Sequence, residues 1–172
     1  MHIPMLATDR LILRAPEAKD FIVYSDFYAD PEASFFYGGP LTAAQAWRKL
    51  AYDLGHWALQ GFGMWSVVEK ASGATVGGCG IVWPEGWPRH ELTWWIAPAA
   101  RRNGYAEEAS RATIHWAHDT LGWNAVETHM DDENDAARRL AEKLDGTVIG
   151  RQLFPDGKTR NVYAMRARAS CI

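Results

Sequence analysis

Six consecutive residues, Arg101-Arg102-Asn103-Gly104-Tyr105-Ala106, stand between a run of strand character and a run of helical character. Backbone N–H groups at a helix start have no internal partner and lie at the positive end of the helix dipole, so such a loop can wrap a diphosphate. Gly104 lets the chain approach that group closely. The segment lacks the Lys-Ser/Thr ending of a nucleotide P-loop and the three spaced glycines of a dinucleotide fingerprint. Coenzyme A, with its diphosphate and long amide-bearing arm, is the cofactor that remains. Cys79 and Cys171 are the only cysteines, far apart and without metal-ligand spacing. They indicate neither a disulfide framework nor a zinc site and suit a reduced cytoplasm. His115 and His118 lie three apart on a helix with no third ligand in view, so no metal is expected. Cys79 has no histidine close in sequence to activate it, which disfavours a covalent acyl-enzyme.

These residues are placed by the elements around them. Residues 10–14 read as a short strand, and Pro16-Glu17 opens a helical stretch with Phe21, Tyr24, Phe27 and Tyr28 on one face. Thr42 with Gln45 forms a capping box for a helix expected to bury Trp47, Leu50, Leu54 and Trp57 or Ala58. Residues 64–69 and 75–83, joined by Lys70-Ala71-Ser72-Gly73, predict an antiparallel hairpin made irregular by Gly77, Gly78 and Gly80. A proline-rich loop holding Trp87 follows, then a strand at 90–97, a helix with Ala106, Ala109, Thr113, Trp116 or Ala117 and Leu121 on one face and Gly122 as its stop, and a strand at 124–130. Strand, helix and strand in that order predict a parallel βαβ unit with a right-handed crossover. Asn134 caps a short helix burying Ala137, Leu140, Ala141 and Leu144, with Gly146 as its stop, and strands at 147–154 and 160–166 flank a turn. The expected fold is α/β (α+β): a mixed, mostly antiparallel sheet of six to seven strands with one central parallel βαβ unit and helices on both faces.

The segment 91–109, with its loop placed after a strand and Asn134 downstream, resembles the GNAT superfamily of N-acetyltransferases, whose acetyl-CoA loop reads Arg/Gln-x-x-Gly-x-Gly/Ala. The opening strand Thr8-Asp9-Arg10-Leu11-Ile12-Leu13-Arg14 narrows the resemblance to the RimJ/RimL-like branch, and it spans nearly the whole chain. It implies a GNAT-type sheet, with backbone groups of Trp95, Ile96 and Ala97 holding the pantetheine arm and Arg101, Arg102, Asn103, Gly104, Tyr105 and Ala106 holding the diphosphate. Asn134 would also touch the arm. Glu107 and Glu108 suit a helix start but would repel phosphate, so they are expected to turn away. Amide formation from a thioester needs a neutral amine, whereas a lysine-like amine has a pKa of about 10.4 and an α-amine about 8. Glu91 occupies the position where the family often carries a glutamate acting as base through water. His90 should point to the opposite strand face and is a reserve. Two departures stand out: Ala141 replaces the usual Tyr and Ala137 the usual Ser, leaving the acid for the departing thiolate unassigned, with Tyr163 and His129 as weak substitutes. Trp83, Trp87 and Tyr37 are candidates for the acceptor wall.

With 172 residues the chain fits one domain, 1–172. Its net charge of −3 gives no general pull toward nucleic acid or an anionic membrane, which weighs against a nucleic-acid binder built on Arg101, Arg102, Arg138 and Arg139. No secretion signal or apolar run approaching a membrane span occurs, so a cytoplasmic setting is expected. The expected activity is an acetyl-CoA-dependent N-acetyltransferase acting by direct attack in a ternary complex. Its partner would be a small-molecule amine or a protein N-terminus. The alternative is a non-catalytic acyl-CoA-binding regulatory module. A dimer is common in the branch, and nine Trp leave room for one.

Overall fold

The computed structural model describes residues 2–167. It contains eight strands, β1 (Leu6–Ala7), β2 (Leu11–Arg14), β3 (Met64–Glu69), β4 (Thr75–Val82), β5 (Glu91–Ile96), β6 (Val126–His129), β7 (Thr147–Leu153) and β8 (Thr159–Met165). Four α-helices accompany them, α1 (Phe21–Ala29), α2 (Ala43–Gln60), α3 (Tyr105–Leu121) and α4 (Asp135–Lys143). The strands form two sheets, ordered β1-β2-β3-β4-β5 and β6-β8-β7. Every ladder is antiparallel.

The expected single mixed sheet of six to seven strands with a central parallel βαβ unit is therefore not formed among the described residues, where eight strands make two antiparallel sheets. Strand, helix and strand do follow in order, but β6 gives its ladder to β8. Toward β5 it makes side-chain bonds instead: Thr128 Oγ1 donates to the Leu92 carbonyl at 2.8 Å, and the Glu127 N–H donates to His90 Nε2 at 3.0 Å. Periodicity reports which residues are strands and leaves the choice of ladder partner open, and β8, far downstream, takes it.

Helices cover both faces of the five-stranded sheet. Ala109, Ile114 and Trp116 of α3 pack in one cluster with Leu13, Trp65, Val67 and Ile81, which share a face through the register Leu13↔Val67 and Trp65↔Cys79. Tyr24, Phe27 and Tyr28 of α1 and Ala46 and Leu50 of α2 pack on the other face around Met64, Val82 and Trp95. The Thr42–Gln45 capping box is present. The buried stripe of α2, however, is Ala46, Leu50, Asp53, His56 and Trp57, while Trp47 and Leu54 stay 48% and 37% exposed. Two polar side chains sit inward because each is satisfied. Asp53 accepts from Tyr24 and Lys49, and His56 bonds the Phe62 carbonyl and the Trp83 N–H. At the end of α4 the left-handed residue is Asp145, at φ 62°, and Gly146 donates its N–H to Ala141.

β4 is rich in glycine because its neighbours come too close for a side chain. A Cβ on Gly77 would lie 2.2 Å from the Trp95 carbonyl oxygen, and one on Gly78 would lie 2.4 Å from Trp95 Nε1. The Trp95 backbone that faces Gly77 cannot yield as a flexible side chain would. Gly77→Ala is expected to destabilise the protein by about 1–3 kcal/mol, read as a lower urea midpoint at unchanged slope.

Candidate active site

A cleft of about 560 Å³ opens between the two sheets, and β5 supplies one wall with Glu91, Leu92, Thr93, Trp94 and Trp95. Antiparallel pairing turns alternate residues of a strand toward its partner. The Ala97 N–H donates to Val76, so the backbone groups of Leu92, Trp94 and Ile96 face the opposite edge, where no ladder exists. That edge is partly occupied. The Leu92 carbonyl accepts from Thr128, Trp94 from the Tyr37 hydroxyl at 2.7 Å, and Ile96 from Arg101 Nε at 3.2 Å. The N–H groups of Trp94 and Ile96 remain on the free edge.

Glu91 opens β5 on the face that carries α1 and α2, opposite Val82 in the register. Its side chain keeps 26% exposure, and Oε2 lies 3.5 Å from His129 Nε2, which is buried without a hydrogen-bond partner among the described residues. Burial pushes the Glu91 carboxyl up to about 7, only partly offset by the cations of Lys49 and Arg160. Burial and then the Arg160 cation hold His129 down at about 4. At neutral pH the pair is thus an uncharged imidazole beside a carboxyl near its titration midpoint, the state suited to moving a proton. The imidazole is fixed by stacking on Trp87 at 5.6 Å and 11° and by Phe154 at 4.0 Å. His90 Nε2 is occupied by the Glu127 N–H at 3.0 Å.

Beyond β5 the chain runs through a 3-10 turn, Pro98–Ala100, into the loop that starts α3. Arg102 and Gly104 both adopt the left-handed conformation, at φ 65° and 80°. Gly104 is the N-cap of α3 and gives no side-chain cap. Among the described residues the N–H groups of Arg102, Asn103, Gly104, Tyr105 and Ala106 donate to no backbone carbonyl. Alternating left-handed residues with unpartnered amides at a helix start form an anion-binding concavity, which a diphosphate fits. The neighbouring acids are occupied elsewhere, Glu108 by Thr8 and Arg10 and Glu107 by Arg111. Arg101 is turned inward, its Nη2 donating to the Ala33 carbonyl at 3.4 Å, and Asn103 Nδ2 bonds the Ala100 carbonyl. Tyr105 is buried, with its hydroxyl on Glu69.

The cleft brings Glu91, Trp95, Tyr37, Trp87 and Asn134 together. It does not include Ile96, Ala97 or the loop of Arg101 to Ala106, which continue β5 beyond its wall, nor Trp83, whose indole N–H holds the Trp87 carbonyl. Asn134 Oδ1 caps α4 by accepting from Ala137 at 3.1 Å. Ala137 lines the cleft, Ala141 is buried beneath it, and Tyr163 belongs to a separate small pocket. Lys49, Tyr52, Asp156 and Arg160 also line the cleft, and sequence reasoning missed them. The signal available was the i, i+4 acid–base spacing of Lys49 with Asp53 and of Asp156 with Arg160. Cys79 lies on the opposite sheet face, fully buried between Ser110 and Thr113, and burial raises its thiol to about 11. Cys171 falls outside the described residues. Among the described residues no cluster of three or more His, Cys, Asp or Glu has metal-binding geometry, and no helix is long and apolar enough to cross a membrane.

Comparison with known proteins gives the site a context. A family model described as an acetyltransferase (GNAT) domain matches residues 10–147. The crystal structure of an acetyltransferase from Agrobacterium tumefaciens is 31% identical, covers 96% of both chains and superposes with a TM-score of 0.87. The Bacillus subtilis protein YkkB is 28% identical over 142 residues, 81% of this chain and 83% of its own. The fold is shared with RimL, an alpha-N-protein acetyltransferase solved in complex with coenzyme A, at 13% identity and a TM-score of 0.75 over 95% of this chain and 98% of that one.

A carboxyl whose folded pKa is raised lowers stability as pH climbs. The native state keeps its proton between the unfolded value near 4.5 and the folded value near 7, and the loss is complete above that window. Glu91→Gln removes the loss. We expect the variant to be more stable than the parent by about 2 kcal/mol at pH 8 and indistinguishable from it at pH 4, by chemical denaturation at both.

Proposed function

The chain belongs to the GNAT acetyltransferase family, and from that premise we propose that it is a single-domain, RimJ/RimL-like N-acetyltransferase that moves the acetyl group of acetyl-CoA to a primary amine by direct attack in a ternary complex. One observation carries the reading. A strand edge without a ladder has unpartnered amides at one end and a carboxyl titrating near neutrality at the other. From Glu91 to Ile96 that edge spans about 16 Å, a length suited to an extended, amide-bearing arm.

In this reading the amides of Arg102 to Ala106 hold the diphosphate, with Arg101 and Asn103 fixing the loop, and the N–H groups of Trp94 and Ile96 pair with the arm. Trp95 shapes the wall behind it, and Asn134 meets the arm from α4. Acetyl-CoA supplies the activated acyl group as a thioester. Glu91 takes the proton from the acceptor ammonium, directly or through a water, so that the nitrogen can attack the acyl carbon as the carbon–sulfur bond breaks. A strand N–H facing the reacting carbonyl stabilises the oxyanion. Ala137 and Ala141 have no proton to give the departing thiolate, and a thiol of pKa about 8.5 leaves with water as its acid. Cys79, buried and on the wrong sheet face, offers no route through an acyl-enzyme. The same two alanines favour a second reading, a module that binds acyl-CoA without catalysis.

Two measurements separate these readings. For Glu91→Gln we expect kcat/KM at pH 7 to fall by about a hundredfold, with loss of the limb near pH 7 and coenzyme A affinity within about twofold of the parent. Unchanged turnover across the pH range rejects Glu91 as the base, and absence of thiol release by the parent with every amine favours the binding module. Gly104→Ala forces a side chain into a left-handed position at φ 80°, which costs about 1–2 kcal/mol. It should weaken coenzyme A binding about tenfold by calorimetry, and undiminished affinity counts against the loop as the diphosphate site.

A further inference from the structure

The charges lining the cleft are already committed to one another. Arg160 donates Nε to Asp131 at 2.6 Å and Nη1 and Nη2 to Asp156 at 2.9 and 2.5 Å. Lys49 donates to the buried Asp53 at 2.8 Å and lies 4.7 Å over the Tyr52 ring. Asp131 also holds Lys158. Each cation lining this cleft thus already holds at least one carboxylate. The acids differ: Asp131 and Asp156 are neutralised, while Glu91 faces an uncharged imidazole. Among the described residues Glu91 is therefore the lining acid with no cation at salt-bridge distance, the place best suited to an ammonium group. An incoming carboxylate must compete with Asp53, Asp131 and Asp156 for cations they already hold.

Beside aliphatic residues such as Met64, Val82 and Leu92 and the polar Thr93, Thr128 and Asn134, much of the remaining lining is aromatic. Phe36 and Tyr52 each leave 40% of their surface exposed, which separates them from the packed core. Trp87 is held against His129, and Tyr37 is fixed by its bond to Trp94. Flat, rigid faces around a single carboxyl suit a flat apolar body that carries one amine. An α-amino acid would bring its carboxylate beside the Glu91 carboxyl, among cations that already hold acids, which is unfavourable. A polyamine would bring further ammonium groups that find Asp131 and Asp156 already taken.

We infer that the acceptor is a primary amine on an aromatic body with no carboxylate next to its nitrogen. This rests on the acetyltransfer reading above and names the substrate class for the same cleft.

The test uses the full chain with acetyl-CoA, after calorimetry has measured coenzyme A uptake, and follows thiol release. 2-Phenylethylamine and L-phenylalanine differ only in the carboxylate, spermidine supplies amines without an aromatic body, and phenylalanyl-glycinamide presents the aromatic amine as a peptide N-terminus. We expect kcat/KM for at least one of the two carboxylate-free aromatic amines to exceed that for phenylalanine by about a hundredfold and that for spermidine by about tenfold. The faster of the two tells whether the amine is free or peptide-borne. Equal or better turnover of phenylalanine or spermidine overturns the inference, as does failure of both aromatic amines while coenzyme A is bound. Lack of coenzyme A uptake overturns the acetyltransfer reading itself. Asp156→Asn removes one carboxylate charge and one acceptor from Arg160 and should narrow the preference against phenylalanine about tenfold. An unchanged preference in a folded variant rejects the charge argument, and the parent panel decides if the variant does not fold.

Discussion

A strand edge inside a protein carries N–H and carbonyl groups that water cannot fully serve, and a fold normally covers or pairs them. β5 pairs with β4 on one side only. On its other side β6 comes close but turns its ladder toward β8, so single side chains from β6, the α1–α2 segment and the loop before α3 bond individual carbonyls. The cleft exists because two antiparallel sheets meet there without merging. A continuous ladder across this line would remove the free edge and close the space above Glu91.

Buried polar groups hold the frame that keeps the edge in place. Asp20, fully buried, accepts from Arg14, Thr75, Ser66 and the Glu17 N–H, and these bonds bring its carboxyl down to about 2 against the burial that would raise it. One carboxylate thereby ties the segment before α1 to β2, β3 and β4. Asp53 and His56 do similar work for α2, joining it to α1, to the segment before β3 and to the start of the loop after β4. Each of these groups is satisfied, unlike His129 Nε2 and Trp95 Nε1, the two buried side-chain nitrogen or oxygen atoms among the described residues without a hydrogen-bond partner. Trp95 Nε1 lies over Gly78 of β4, and His129 Nε2 lies 3.5 Å from Glu91 Oε2 at the cleft.

What could be read from the sequence followed the reach of local chemistry. The capping box, the left-handed stop at Gly122 and the Arg101 to Ala106 turn depend on neighbours a few residues away, and all appear where their residues predict. Glu91 was legible as an acid at the far end of the strand that leads into that turn, and its expected role came from the family resemblance. The parallel pairing was not, because ladder partners are chosen by residues dozens of positions away. The buried face of α2 was misread at Trp47 and Leu54 because hydrophobicity stands in for burial only where polar residues lack partners. Lys49 and Arg160 reach the cleft from α2 and β8, and the topology alone brings them beside Glu91.

Arg101 joins the end of β5 to the Ala33 carbonyl, just ahead of Phe36 and Tyr37, while Tyr37 reaches back to Trp94. These two straps cross the same gap in opposite directions and brace it as a truss does. Bonds that brace a recess before anything enters it lower the ordering entropy that binding would otherwise cost. The molecule thus resembles a gauge more than a clamp.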